Sequence, residues 1–173
     1  VVVMRPAAVT TPTGVMSPFD QHFDPVWSRI NEAGITVVVH AGDSGYNTQG
    51  YADNTFSAAG ISKGNYSGPS IGSFSIERAA QDWLIQAVFQ KIFDRFPQLR
   101  FASVENGSDF LAPMFRKFDQ TAKKSFGWFA DHPVDTFKEK VWMNPFWEDD
   151  VNEVAELMGP DHVIFGSDWP HIE

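Results

Sequence analysis

The chain has 173 residues, a formal net charge of −9 and no cysteine. Its length suits a single domain, predicted to span residues 1–173. The acidic balance argues against nucleic acid or an anionic membrane as partner, since both require a basic face. No apolar run reaches the roughly 18 residues that a membrane span needs. Without cysteine, any bound metal must be held by histidine and carboxylate side chains.

The first part of the chain predicts two strands with a helix between them. Residues 1–4 form an apolar run, typical of a strand buried on both faces, and a polar, proline-rich connection follows through His22. Asp24 can cap a helix that has Pro25 in its first turn. Residues 35–40 are mostly β-branched and predict the second strand. The apolar residues at helical spacing between the strands are Val26, Trp27, Ile30 and Ala33.

The same alternation continues to the end of the chain. A long polar loop is followed by a helix predicted over residues 75–96, and residues 99–104 predict a third strand. Another helix should start near residues 110–112, because Pro113 is tolerated only in a first turn. After a further polar loop come a strand at 141–144, a helix capped by Asp149 or Asp150 and closed by Gly159-Pro160, and a last strand at 162–165.

This order of strands and helices predicts an α/β fold with a parallel sheet and crossover helices. The pattern contains five strands and four helical crossovers. An eight-stranded barrel takes about 250 residues. The pattern alone therefore leaves two architectures open: part of a barrel, or an open doubly wound sheet.

Three of the predicted strands end in an ionisable residue, namely His40, Glu105 and Asp168. The carboxyl ends of parallel strands meet at one edge, where α/β proteins place their active sites. Histidine and aspartate together suit a divalent metal, and Glu105 could be a further ligand or a base for metal-bound water. Each residue also has a structural alternative. His40 could only close its strand, Glu105 could cap a helix or pair with a cation, and Asp168 could form an Asx turn.

Other residues are candidates for substrate contact. Arg5, just past the first strand, could bind a substrate carboxylate or form a structural ion pair. His171 follows Asp168 by three residues and could touch substrate or lie in solvent. The substrate is expected to be a small carboxylated or aromatic compound, because several aromatic residues lie near the predicted mouth of the site. These residues are Phe74, Phe110, Phe146 and Trp147.

Residues 165–171, Phe-Gly-Ser-Asp-Trp-Pro-His, resemble a segment of the amidohydrolase-related family that includes aminocarboxymuconate-semialdehyde decarboxylase. In that family the last strand carries Gly-[Ser/Thr]-Asp-[Tyr/Trp]-Pro-His, and its Asp is a metal ligand. Residues 37–42, Val-Val-Val-His-Ala-Gly, resemble the strand whose terminal His is also a ligand. A weaker match lies at residues 144–148, and Glu105 occupies a position where many members carry a catalytic His. The resemblance covers essentially the whole chain in the right order.

The resemblance implies a TIM-type (β/α)8 barrel, of which this chain covers about the last five strands. It implies one divalent metal ion, zinc by default, held by His40 and Asp168. Glu105 and Asp168 are the expected catalytic residues, and His171, Arg5 and Trp147 the expected substrate-binding residues. The expected protein is a cytoplasmic enzyme acting on a small molecule, with homo-oligomerisation left open.

Two departures from the family pattern qualify this hypothesis. The family's first strand ends in a His-x-His pair that supplies two metal ligands, and no such pair occurs here, so the chain is expected to begin around the fourth strand. Glu105 replaces a histidine, which leaves hydrolysis and decarboxylation both open. Two other functions stay open as well: an open-sheet α/β binding module without catalysis, and a metal-free lactonase or C–C hydrolase on the same barrel.

Overall fold

A computed structural model describes residues 1–42, 44–46, 72–146, 149–167 and 169. The described residues contain these strands: β1 (Val2–Met4), β2 (Val9–Thr11), β3 (Gly14–Met16), β4 (Thr36–His40), β5 (Arg100–Val104) and β6 (Val141–Met143). Four of them form a parallel sheet in the order β1-β4-β5-β6, while β2 and β3 pair as a separate antiparallel hairpin. The predicted α/β fold with a parallel sheet is confirmed.

The helices that connect and cover the strands start largely where the sequence places them. Trp27 and Ile30 of the first helix are buried, as are Leu111, Met114 and Phe118 of the helix that follows β5. Asp150 caps the last helix by accepting hydrogen bonds from the backbone amides of Asn152 and Glu153. The helices are α1 (Asp24–Glu32), α2 (Gly72–Phe89), α3 (Ile92–Arg95), α4 (Leu111–Lys124), α5 (Pro133–Lys140) and α6 (Val151–Met158).

The helix predicted over residues 75–96 is two helices, α2 and α3. The chain breaks at Lys91, which adopts a left-handed conformation with φ of 56° although no glycine or proline is present. The Arg95 guanidinium donates hydrogen bonds to the carbonyl of Gln90 at the break and to the carbonyl of Phe19 across the core. It also pairs with Asp24 at 3.1 Å. Tertiary hydrogen bonds therefore stabilise a break that helix propensity does not predict.

Two elements lie in segments that the sequence predicted to be irregular. The proline-rich connection after β1 contains the β2–β3 hairpin, whose turn is closed by the Thr11 hydroxyl donating to the Gly14 carbonyl at 2.7 Å. The polar loop before β6 contains α5, in which Pro133 occupies the first turn and the His132 imidazole accepts a hydrogen bond from the Val134 amide. Both elements are short, so their apolar periodicity is weak.

The two ends of the described sheet also differ from expectation. β1 is not buried on both faces, because Val3 is 64% exposed at the edge of the sheet. The predicted last strand is represented by a single parallel bridge between Met143 and Val163, extended by a hydrogen bond from the Ile164 amide to the Met143 carbonyl. The described sheet therefore has four strands, and the count of five is not confirmed.

The core lies between the sheet and the helices, and α1 to α6 all contribute buried residues to it. Phe101 of β5 is fully buried at its centre, and its ring centroid lies 5.0 Å from that of Phe93 and 5.1 Å from that of Trp83. Phe19 and Trp27 complete the cluster, with the Trp27 indole donating to the Pro18 carbonyl at 2.7 Å. This packing holds β4 and β5 in register, and both strands lead directly into the candidate site.

Candidate active site at the carboxyl edge of the sheet

His40 is the last residue of β4 and lies opposite Val104, the last residue of β5. The Ala41 amide donates to the Val104 carbonyl at 3.1 Å, so the two strands stay paired up to the site. The His40 Nδ1 lies 2.9 Å from the Ala41 carbonyl oxygen. Because a carbonyl oxygen can only accept, this contact places a proton on Nδ1.

Glu105 follows β5 directly and brings its carboxylate to His40. Its φ of 58° lies in the left-handed region, which is costly for a residue other than glycine. The His40 Nε2 is 3.2 Å from the Glu105 Oε1, and the two side chains are 38% and 18% exposed. The sequence predicted that His40, Glu105 and Asp168 converge at one edge of the sheet; the structure brings the first two together, and Asp168 lies outside the described residues.

The separation of the His40 Nε2 and the Glu105 Oε1 fits two arrangements, namely two ligands of one cation or a hydrogen bond between imidazole and carboxylate. In the neutral imidazole with its proton on Nδ1, Nε2 and the Glu105 carboxylate both present lone pairs that a cation between them can bind, whereas in the imidazolium Nε2 donates to the carboxylate. Two ligands bonded at about 2.1 Å in tetrahedral to octahedral geometry lie roughly 3.0–3.4 Å apart. The observed 3.2 Å falls in this range. Among the residues that the structure describes, no group of three or more His or carboxylate side chains is placed to hold a metal ion.

Asn106 links the ends of the two strands beneath this pair. Its side-chain Nδ2 donates to the Val39 carbonyl at 2.7 Å and to the Ser103 hydroxyl at 3.1 Å, and the residue is only 2% exposed. Gly107 then adopts φ of 74°, a conformation that favours glycine, with its Cα facing the Glu77 side chain. This turn carries the chain from β5 towards α4.

A cleft of about 360 Å³ opens beside the pair. Its apolar wall includes Phe74 and Phe146, and its polar wall is largely carboxylate. Asp149 is held in place by hydrogen bonds from the Phe146 amide at 2.6 Å and the Ser108 amide at 3.1 Å. The lining residues that carry a carboxylate are Glu77, Glu105, Asp109 and Asp149.

The other predicted site residues have different outcomes. Arg5 follows β1 at the same edge, with its Cβ beside Gly42. Asp168, His171 and Trp147 lie outside the described residues, so their predicted roles stay predictions. Phe110 was expected near the mouth, but it is 5% exposed and belongs to the core.

The chain that leads to Asp168 is anchored on the end of β6. The Asn144 side chain, 6% exposed, donates to the Ile164 carbonyl at 3.3 Å. A Cβ at Gly166 would lie 2.9 Å from the Asn144 Oδ1, so only glycine fits against this side chain. Residues 163–166 therefore lie beside the carboxyl end of β6.

A second polar contact lies just beyond β4. The Tyr46 hydroxyl donates to the Asp82 carboxylate of α2, which ties the residues after β4 to that helix. Burial, together with the hydrogen bond to Asp82 and the negative charge of Asp82, raises the pKa of Tyr46 to about 12. The tyrosine is therefore neutral at any ordinary pH.

Sequence reasoning missed Asn106, Glu77 and the position of Asp149 in the cleft. Asn106 could have been suspected from its place directly after a strand-ending Glu. The sequence suggested Asp149 only as an alternative to Asp150 for the N-terminal cap of α6. Glu77 carried no signal, because one carboxylate on a long amphipathic helix is normally solvated. Among the described helices, none is long and apolar enough to cross a membrane.

Comparison with solved structures finds related folds. An amidohydrolase from Mycobacterium avium subsp. paratuberculosis K-10 has a TM-score of 0.83 and 34% identity, with 98% of this chain and 41% of that chain covered. A 2,6-dihydroxybenzoate decarboxylase from Rhizobium has a TM-score of 0.68 and 14% identity, with coverages of 97% and 51%. A dihydroxybenzoic acid decarboxylase from Polaromonas sp. JS666, with bound manganese and 2-nitroresorcinol, has a TM-score of 0.64 and 15% identity, with coverages of 90% and 46%.

At 14% and 15% identity, the similarity of this chain to the two decarboxylases shows a shared fold and no more. The chain spans between 41% and 51% of the length of these three structures. A comparison with curated proteins finds no match. The sequence profile of the Amidohydrolase family matches residues 5–173, which is nearly the whole chain. This match, together with the 34% identity over 98% of the chain, shows that the chain belongs to the Amidohydrolase family.

Proposed function

We propose that this protein is a metal-dependent hydrolase or decarboxylase of the amidohydrolase superfamily, acting on a small aromatic carboxylate. The observation that carries the proposal is the His40–Glu105 pair, 3.2 Å apart at the carboxyl edge of a parallel sheet. The architecture proposed with it is the later part of a TIM-type barrel. A cytoplasmic location belongs to the same proposal.

In this proposal, the Nε2 of His40 and the carboxylate of Asp168 hold one divalent ion, with zinc as the default and manganese as the alternative. When bound, such an ion lowers the pKa of water and stabilises negative charge on a substrate oxygen. The Ala41 carbonyl keeps the proton on Nδ1 of His40 and so keeps Nε2 available as a ligand. Glu105, in its left-handed conformation, has its carboxylate 3.2 Å from the same Nε2.

Glu105 is the proposed acid–base group. In hydrolysis, its Oε1 would take the proton from the attacking water. In decarboxylation, the electron pair of the broken C–C bond is left on the ring carbon, and Glu105 or Asp168 would deliver a proton to that carbon. Arg5, His171 and Trp147 are proposed to contact the substrate.

Decarboxylation of an aromatic acid is the specific activity to test first. Phe74 and Phe146 give the cleft an apolar wall suited to a flat ring, and about 360 Å³ accommodates a single substituted ring. The decarboxylases that share the fold act on or bind compounds of this shape, such as 2,6-dihydroxybenzoate. These similarities support the choice of substrate class.

The test is to strip the protein of metal, reload it with Zn²⁺ or Mn²⁺, and measure CO₂ release from 2,6-dihydroxybenzoate together with hydrolysis of a lactone series. We expect turnover that depends on metal. His40→Ala should lose both metal and turnover. Glu105→Gln should keep its fold and most of its metal but lose about 10²–10⁴-fold in turnover. His22→Ala, a change at an exposed histidine remote from the cleft, is the control and should be unaffected.

The outcomes separate the alternative functions. Turnover of a lactone by metal-free protein would support the metal-free hydrolase. No turnover and no metal at the His40 site would support a binding module. If Glu105→Gln loses its metal, Glu105 is a ligand and the acid–base role passes to another residue, with His171 the next candidate.

A further inference from the structure

The Asp149 carboxylate joins two loops that line the 360 Å³ cleft. Its Oδ1 accepts a hydrogen bond at 3.1 Å from the Ser108 amide, in the turn between β5 and α4. Its Oδ2 accepts one at 2.6 Å from the Phe146 amide, in the loop after β6. The Asp149 amide also donates to the Phe146 carbonyl at 3.0 Å. One carboxylate therefore connects the loops that follow two neighbouring strands.

Each of these loops carries a residue of the candidate site. The turn after β5 begins with Glu105, the proposed acid–base group, and Asn106 ties this turn to β4. The loop after β6 carries Phe146, which is half-buried and lines the cleft. Asp149 holds the Phe146 backbone to the turn that contains Glu105.

The bonds of Asp149 use the carboxylate for its two acceptors. Both oxygens of a carboxylate accept hydrogen bonds, whereas a carboxamide has one oxygen and an amino group that can only donate. Hydrogen bonds to an ionised acceptor are also stronger than neutral ones. The negative charge itself disfavours an anionic substrate in the cleft. A positioning role and a charge role of Asp149 therefore predict opposite changes in substrate binding when the charge is removed.

We propose that Asp149 is a positioning residue, whose bonds to the Ser108 and Phe146 amides hold the Phe146 ring at a fixed distance from the Glu105 turn and so set the slot that binds the substrate ring. This inference rests on the proposed function, because the bound ring is that of the aromatic acid proposed as substrate. Asp149 acts through Phe146 and touches no reacting atom. Its loss should therefore weaken ring binding more than it slows the chemical step.

The bridge is tested with Asp149→Asn, and Asp150→Asn is the matched control. Both variants remove one negative charge. Asp150 caps α6 with Oδ1 alone, which asparagine retains, whereas Asp149 uses both oxygens and asparagine must lose one bond. Hydrogen exchange followed by NMR should show the Phe146 or the Ser108 amide exchanging at least about tenfold faster in Asp149→Asn, and neither changed in the control. Equal exchange in both variants would overturn the bridge.

Ring binding is tested by NMR titration of the full chain with phenol in EDTA, so that neither a metal nor a substrate charge contributes. Asp149→Asn should bind phenol at least about threefold more weakly, the worth of one ring contact, and Asp150→Asn should match the unmodified chain. Phe146→Ala should weaken binding similarly, and adding Asp149→Asn to it should cause no further loss, because the two residues act as a unit. No phenol binding by the unmodified chain, unchanged affinity in Asp149→Asn, or a full additional loss in the double variant would each overturn the proposal.

Kinetics of the metal-loaded protein give the sign of the effect. The KM for 2,6-dihydroxybenzoate should rise at least about threefold in Asp149→Asn, while kcat changes by less than about twofold. A lower KM would mean that the carboxylate acts by its charge. A lower kcat at unchanged KM would mean that the variant only reduces the amount of active protein. Either result would refute the positioning role.

A second variant covers the case in which Asp149→Asn does not fold. Asp149→Glu keeps the charge and both acceptors on a longer side chain, so it should displace Phe146 without removing the bridge. Phenol binding should again weaken and the KM should again rise. Unchanged values in this variant would contradict the proposal.

Failure of this proposal is distinguishable from failure of the proposed function. CO₂ release is measured on metal-loaded protein, whereas hydrogen exchange and phenol binding are measured without metal. Metal-dependent turnover with unchanged phenol binding in Asp149→Asn would remove the role of Asp149 and keep the enzyme. Weaker phenol binding in this variant, with no turnover by the unmodified chain, would keep the ring slot and remove the reaction.

Discussion

The aromatic core beneath the sheet consists of well-packed side chains, whereas the carboxyl edge of the sheet contains residues in energetically costly arrangements. In the core, Phe101 is fully buried among rings at centroid distances of 5.0 to 6.2 Å, and the Trp27 indole is hydrogen-bonded. At the edge, Glu105 adopts a left-handed conformation, and the buried Oδ1 of Asn106 has no hydrogen-bond partner among the described residues. Four carboxylates share one cleft there.

The difference teaches how the fold supports the site. Residues in unfavourable conformations persist only when their surroundings hold them in place. β4 and β5 provide this support, because they pair along their whole length and their own side chains Val39 and Phe101 are fully buried in the core. The stable region therefore makes the costly arrangement at the edge possible, and substitutions in the two regions should have different and sometimes opposite effects.

The largest effect is expected in the core. Phe101→Ala should lower the free energy of unfolding by about 3–5 kcal/mol, because it leaves a cavity among four aromatic rings. Urea denaturation followed by tryptophan fluorescence measures this loss. Phe126→Ala, at a side chain that is 99% exposed, is the control and should change stability by less than about 0.5 kcal/mol. A loss below about 1 kcal/mol for Phe101→Ala would mean that the aromatic cluster is not the centre of stability.

An effect of opposite sign should separate the two regions at the backbone. At Glu105, with φ of 58°, the Gly variant should be more stable than the Ala variant by about 1 kcal/mol, because glycine removes the left-handed strain. At Ala102, buried within β5, Ala102→Gly should instead cost about 1 kcal/mol. Urea midpoints of the three variants test this directly. If Gly and Ala are equally stable at position 105, the strain inferred for the edge is absent.

The Tyr46–Asp82 hydrogen bond should give the edge a dependence on alkaline pH. The folded pKa of Tyr46 is about 12, above the ordinary 10.0, so the folded state holds this proton more tightly. Its contribution to stability is complete below pH 10 and is lost as pH rises towards 12. Tyr46→Phe should lower the free energy of unfolding by about 1 kcal/mol near neutral pH. The stability of this variant should also depend less on pH between 10 and 12.

Absorbance at alkaline pH and urea unfolding at several pH values provide the measurement for Tyr46. Asp82→Asn is the companion variant, since it keeps the side-chain shape and removes the charge that helps to raise the pKa. The pKa of Tyr46 should then move back towards its ordinary value. A stability profile of Tyr46→Phe that matches the unmodified chain between pH 10 and 12 would contradict the assignment.

The smallest effect is expected on the outer face of α1. Helical spacing placed Val26 among the inward-facing residues, but it is 51% exposed. Val26→Ala should therefore change the free energy of unfolding by less than about 0.5 kcal/mol, while Ile30→Ala, at a residue 6% exposed, should cost about 2–5 kcal/mol. Urea denaturation of both variants tests whether α1 presents Ile30 to the core and Val26 to solvent, as the structure shows.

The sequence by itself determined the α/β class, most strand positions and the meeting of His40 with Glu105. Strands β4 and β5 are largely apolar, β4 ends at His40 and Glu105 follows β5 directly, and a parallel sheet brings such ends to one edge. The family segment at residues 165–171 was equally readable from the sequence, because it is local and specific. Features of this kind depend on local residue patterns and on the direction of the strands, and both can be inferred from the sequence.

Only the tertiary structure decided the features that depend on contacts between distant residues. The break at Lys91 is stabilised by Arg95, whose guanidinium bonds Phe19 and Asp24 more than 70 positions away in the chain. Asn106 could be placed after a strand from the sequence, but its buried hydrogen bonds to Val39 and Ser103 join two strands and no local pattern specifies them. Propensity and periodicity describe a residue's neighbours in the chain, whereas breaks, buried acceptors and clefts depend on neighbours in space.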